Sequence, residues 1–237
     1  MTLWICAATR SEADACRRGV AAAGLTDRLR IVRTGIGTVA ARRSLDREMS
    51  RGPRPVGLVS SGFAFSTDPG LAPGQLAAAS HVVAFEGVGT ERELAEPLAL
   101  DLADVPCRPF TTTDFFLDAD DPRIGTGPLG SGALVDMESA AVAELATEAD
   151  VPYAVLRLVT DTPGRPLPPF VGCYVRAALA PTGLSRTAGT VRTGLSALAS
   201  PLRTWRFLST GRRRCRELCE GWRRYARIVS GALEEIS

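Results

Sequence analysis

The chain has 237 residues, 45% of them hydrophobic, with a formal net charge of +2 and a mean hydropathy of +0.06. Those values suit one α/β domain with a sizeable core and indicate a soluble globular protein. No apolar run approaches the roughly 20 residues that cross a bilayer, and residues 1–12, MTLWICAATRSE, lack the basic-then-apolar order of a signal peptide, so a cytoplasmic protein is expected.

Six cysteines (6, 16, 107, 173, 215 and 219) follow no framework spacing and are expected to be reduced and structural. Cys215 and Cys219 are one helical turn apart, but no second pair or nearby His completes a zinc site, so no metal is expected. All 28 basic residues are Arg. From Arg186 onward there are eleven Arg against four Glu, about +7, which leaves about −5 on residues 1–185. The chain therefore divides into a domain over 1–185 and an Arg-rich helical extension over 186–237.

Residues 2–8 read as a short apolar strand and 13–23 as a helix. Glu12 falls in the first turn, where its charge suits the dipole; on spacing alone Thr9 or Ser11 caps the helix and Glu12 is solvated. A second strand, residues 29–33, leads into Gly35-x-Gly37-x-x-Ala40 and a helix to about Met49. That pattern is a loose dinucleotide fingerprint, but it is not on the first strand and the next strand ends in no acid, so NAD is rejected. The alternative is a tight turn that brings backbone amides close to a ligand or a helix. Residues 56–60 form a third strand ending at the turn Ser61-Gly62-Phe63-Ala64-Phe65, and 75–85 another strand containing His81, the only histidine. One His with no GxSxG leaves a hydrolase triad without support.

Residues 91–105 read as an acidic connection, and 118–132 as a mobile surface loop. Between them Phe115 and Phe116 can stack on a planar base, or be core. Residues 134–165 carry the most information, as a strand end, a helix and a strand. Residues 153–159 are apolar and β-branched enough for a buried parallel strand. Asp161 sits just past its carboxyl end, where open α/β sheets keep their ligands. Glu138 is placed similarly at the preceding strand end, so two acids point into one crevice. The Pro-rich segment after Asp161 reads as a loop able to close over it. The tail holds helical segments at 205–208 and 212–229; the second is amphipathic, with Leu218, Trp222, Tyr225 and Val229 on one side. It either packs on the sheet or contacts an anionic membrane surface.

AATRSE, TGIGTVAA, SSGFAF with PGLAPGQL, VDMES and LVTD together resemble the nucleoside phosphorylase/nucleosidase superfamily, which includes purine and uridine phosphorylases and methylthioadenosine/S-adenosylhomocysteine nucleosidase. The resemblance covers about seven-tenths of the chain, and VDMES with Asp161 placed 23 residues after Glu138 is its most specific part. It implies a three-layer α/β/α fold around a twisted, mostly parallel mixed sheet, and a homo-oligomer. It implies that Met137 packs on a ribose, that Glu138 accepts hydrogen bonds from the 2′ and 3′ hydroxyls, and that Asp161 protonates or hydrogen-bonds purine N7. Glu12 matches the nucleosidase glutamate that activates water, and Phe116 with the backbone near Leu117 holds the base. Gly35, Gly37 and Gly62 fall in substrate-contacting turns. No cofactor is implied, with phosphate the alternative acceptor to water.

Phosphorylases place an arginine where Glu12 sits and another near Ser60, and Phe63 stands where a Ser or Thr often binds phosphate or water; these departures favour hydrolysis. The short interval between Glu12 and Gly35, with VTDTPGRPLPP and the basic tail, is most similar to the hopanoid-associated branch, which implies adenosylhopane as substrate. Futalosine hydrolase and methylthioadenosine/S-adenosylhomocysteine nucleosidase are the alternatives within the family. A non-catalytic nucleoside-binding protein is the alternative outside catalysis, and no nucleic-acid motif accompanies the arginines.

Overall fold

The computed structural model describes residues 2–86, 90–180, 190, 193, 196 and 201–235, with the backbone alone at 201–203 and 205–207. The domain boundary expected at 185/186 lies outside the described residues. Eight strands form one mixed sheet: β1 (Leu3–Ala7), β2 (Leu29–Arg33), β3 (Leu58–Ser66), β4 (Leu76–Glu86), β5 (Thr90–Glu93), β6 (Cys107–Thr113), β7 (Leu134–Asp136) and β8 (Tyr153–Asp161). Pairing is parallel except for β3 with β7 and β4 with both β5 and β8. The mostly parallel mixed sheet is as expected.

Its closure is not. Because β8 pairs with both β3 and β4, the strands β3, β7, β6, β4 and β8 form a ring, with β1–β2 attached to one side and β5 to the other. Alternate residues of β1 show the layering. Leu3, Ile5 and Ala7 pack with α1 (Arg10–Ala22) and α5 (Pro201–Glu234), whereas Trp4 and Cys6 pack with α2 (Thr38–Met49) and α3 (Ser139–Ala149).

Four elements differ from the sequence reading. The expected acidic connection over 91–105 opens within a strand, β5, held by antiparallel pairing to β4. The third strand continues through Ser66, so Phe63 and Phe65 are strand residues and not a turn. Residues 118–132 carry a short 3-10 turn whose Leu129 is fully buried against Phe65, Phe85 and Leu117, which ties that segment to the core. The Pro-rich stretch gives way to a helix, α4 (Pro169–Leu179), opened by a proline whose missing N–H costs nothing at a first helical position.

The two expected tail segments belong to one helix. α5 spans 34 residues, about 50 Å at 1.5 Å per residue. Leu218, Trp222, Tyr225 and Val229 are all 4% exposed or less, and Trp222 Nε1 donates to Ser61 Oγ at 2.9 Å. Among the described residues no helix is long and apolar enough to cross a membrane. All six cysteines are free thiols.

Candidate active site

A cavity of about 480 Å³ lies at the carboxyl ends of β1, β3, β7 and β8. It is lined by Glu12, Phe116, Leu117, Met137, Glu138 and Asp161, so the structure gathers these predicted residues around one space. Gly35 instead lines a neighbouring cavity of about 780 Å³, and Gly37 and Gly62 line neither. Those last two glycines act on the acids instead.

Glu12 is placed from both sides. Thr9 caps α1, and its N–H and hydroxyl donate to Glu12 Oε2 at 2.7 and 2.6 Å, closing a capping box. The N–H of Phe63 donates to Oε1 at 2.8 Å. Glu12 is only 3% exposed, which corrects the expected solvated acid: β3 covers it. That approach needs Gly62. Its φ of +134° disfavours other residues, and a Cβ there would sit 2.4 Å from Glu12 Oε1. Gly62→Ala should therefore displace the Glu12 carboxylate and lower turnover at least ten-fold while nucleoside affinity changes little. Steady-state kinetics beside equilibrium binding of a substrate analogue checks this, and wild-type turnover would refute it.

Glu138 is held by three groups the sequence reading did not connect. Gly37 N–H donates to Oε1 at 2.9 Å, and Arg157 Nη1 pairs with Oε2 at 3.2 Å. Arg157 is 1% exposed, and its Nε lies 3.0 Å from Asp136 Oδ2. Asp136 in turn accepts from the N–H groups of Glu138 and Ser139 and from Thr112 Oγ1, so it also secures the start of α3. Burial pushes the Glu138 carboxyl up to about 7 against the pull of Arg157, with the Asp136 and Glu12 charges adding to the rise. Arg157 was legible as one arginine inside the strand YAVLRLVTD, since a charge in a buried strand requires partners.

Asp161 is aimed by an irregularity. Ala64 pairs with Val159, but Phe65 pairs with Asp161, so the β3–β8 ladder skips Thr160 and both Thr160 and Asp161 reach the cavity. Burial pushes the Asp161 carboxyl up to about 7, opposed by the hydrogen bond from Thr160 Oγ1 at 2.6 Å. The wall from α4 is largely apolar. Phe170, Val171, Tyr174 and Val175 come from α4, while Thr210, Gly211 and Arg214 of α5 complete the lining.

A comparison with curated protein sequences finds no match. Residues 123–169, the segment holding Met137, Glu138 and Asp161, match a family model described as phosphorylase superfamily. The chain is similar in structure to the 5′-methylthioadenosine nucleosidase of Arabidopsis thaliana, with a TM-score of 0.62, 16% identity, and 98% of this chain and 95% of that one covered. It is also similar to the 5′-methylthioadenosine/S-adenosyl homocysteine nucleosidase of Helicobacter pylori, with a TM-score of 0.60, 14% identity and coverage of 99% and 98%. The third similarity is to a futalosine hydrolase mutant of the same bacterium, at 0.55, 15%, and coverage of 84% and 99%. This is the nucleoside phosphorylase/nucleosidase fold. Glu12 and Phe116 lie outside the matched segment, so the fold, not local sequence, brings them to Glu138 and Asp161.

Proposed function

We propose that the chain hydrolyses the N-glycosidic bond of a purine nucleoside, an adenosine with an apolar 5′ substituent. The observation that carries this reading is the convergence of Glu12, Glu138 and Asp161 on one apolar-walled cavity. Asp161, buried and pushed up to about 7, holds a proton near neutrality and gives it to N7 as the C1′–N9 bond breaks. Glu12, an oriented acceptor of three hydrogen bonds, takes a proton from the water that attacks C1′. Glu138 has a second lone pair on each oxygen for the ribose hydroxyls. Released base and free ribosyl product balance the reaction.

Water is favoured over phosphate because the donors nearest the acids are already engaged, although Arg214 on the cavity wall gives only Nη1 to Glu217 and keeps Nε unpaired. Phe63 N–H serves Glu12, and Arg157 serves Asp136 and Glu138. The apolar α4 wall favours an apolar 5′ arm, as does the solved Helicobacter nucleosidase complex with butyl-thio-DADMe-Immucillin-A. Together with the sequence resemblance, this supports a reading with adenosylhopane first and methylthioadenosine next, and favours futalosine, with a polar 5′ arm, less. The cavity's charged groups argue against a purely binding role.

The test is release of adenine from methylthioadenosine, adenosine and a lipid-linked adenosine, and of hypoxanthine from futalosine, each with and without phosphate. Release in phosphate-free buffer is expected, fastest from the most apolar 5′ arm. Strict phosphate dependence would overturn hydrolysis, and no release from any member would overturn the enzyme.

A further inference from the structure

The apolar side of α5 is consumed by the core, and what it leaves outward is cationic. Arg212, Arg213, Arg216, Arg223, Arg224 and Arg227 are all exposed. Because Leu218, Trp222, Tyr225 and Val229 are fixed between α1 and the sheet, the helix cannot roll that stripe into a bilayer. Insertion of an amphipathic helix is therefore excluded for this part of the chain, whereas electrostatic contact is not.

The face is not neutralised. Within α5 there are nine Arg against three Glu. Glu217 faces Arg213 and Arg214, Glu220 faces Arg223, and Asp104 from the neighbouring loop faces Arg224. Exposed pairs of this kind return little and are screened by salt. On the adjoining helix α1, Asp14 faces Arg10 and Arg17, while Arg18 lies close enough to act on the Cys215 thiol. The face keeps an excess of positive charge over several helical turns.

Its position matters as much as its charge. Arg212 and Arg213 lie between Gly211 and Arg214, which line the catalytic cavity. Leu208, one turn earlier, is 56% exposed, and Tyr174 on the cavity wall is 52% exposed. Exposed cationic and apolar groups thus lie within one helical turn of lining residues along α5.

We infer that the outward face of α5 docks the protein on an anionic bilayer, with the rim of the cavity toward the headgroups. Rigid presentation of arginines along a helix suits a planar array of negative headgroups, each Arg strengthening adsorption at low salt. The inference concerns adsorption and holds whichever nucleoside is cleaved. An apolar 5′ arm would then have a short path from the membrane to the site.

Flotation of the whole chain with vesicles tests it. The chain is expected to float with vesicles of equal parts phosphatidylcholine and phosphatidylglycerol, not with phosphatidylcholine alone, and to release in high salt. Replacing Arg212, Arg216 and Arg223 together by Gln should weaken binding on the order of a hundred-fold, about five-fold for each. Turnover of a soluble nucleoside and the thermal melt should stay unchanged, which separates docking from folding and from catalysis. No flotation at low salt, or equal flotation of the triple variant, would overturn the inference. So would stronger wild-type binding to duplex DNA or single-stranded RNA than to the vesicles. A change of oligomeric state in the variant without loss of flotation would assign the face to a second copy instead.

Discussion

Asp161→Asn is expected to lower turnover by about a hundred- to ten-thousand-fold, the range for loss of a positioned general acid, while making the protein more stable. The two effects share one cause. Burial raises the Asp161 carboxyl from its ordinary 3.8 to about 7. Between those values the folded chain holds a proton that the unfolded chain has lost, so stability falls as pH rises from about 4 to about 7. Above pH 7 the cost of the buried charge is fully present, on the order of 4 kcal/mol as an upper figure for three units. Asparagine keeps the shape and can still accept from Thr160, but it carries no charge. Thermal melts should show the variant equal to wild type near pH 4 and several degrees higher at pH 8. In the wild type, activity should fall about ten-fold per unit above pH 7, because the acid must be protonated. A stability gain that does not vary with pH, or substantial residual turnover, would remove Asp161 from this role.

That strain was only partly legible in the sequence. The position of Asp161 at a strand end followed from the apolar run before it, but the skipped Thr160 that aims it is a pairing property of two strands. Glu12 shows the opposite failure. Spacing offered Thr9 or Ser11 as the cap and placed Glu12 in the first turn, yet gave a solvated acid, because nothing local reveals that Phe63 will cover it. The helix after Pro169 was missed because three earlier prolines in seven residues signal a loop, and a proline at the first helical turn looks the same from sequence alone. α5 was legible as amphipathic from Leu218 to Val229, whereas the contribution of Thr210, Gly211 and Arg214 to the cavity depends on how it overhangs the sheet. Local patterns carried the elements, and long-range packing decided what each acid does.

Arg157→Met should be the most destabilising single change in the site, at about 3–5 kcal/mol, because it strands two buried carboxylates. The guanidinium spans Asp136 Oδ2, Glu138 Oε2, Ser60 Oγ at 2.8 Å and the Phe63 carbonyl at 3.2 Å. No single-point ammonium reaches all four, so Arg157→Lys should recover only part of the loss. The damage should also spread to function along a defined route. Without Arg157 the Glu138 carboxyl loses its main downward pull and rises above about 7, so it is protonated at neutral pH and accepts ribose hydroxyls less well. Residue Phe63, whose carbonyl accepts from Arg157, also donates its N–H to Glu12, so loss of Arg157 loosens the strand that holds Glu12 and acceptor activation weakens as well. Urea denaturation should give the stability loss, and kinetics should give a higher KM together with a lower kcat. The triple replacement Asp136→Asn, Glu138→Gln and Arg157→Met removes the stranded charges and should regain much of the stability while remaining inactive. A loss below 1 kcal/mol for Arg157→Met, or a triple variant no more stable than the single one, would mean that the buried arginine is not what compensates the Asp136 and Glu138 side chains inside the fold.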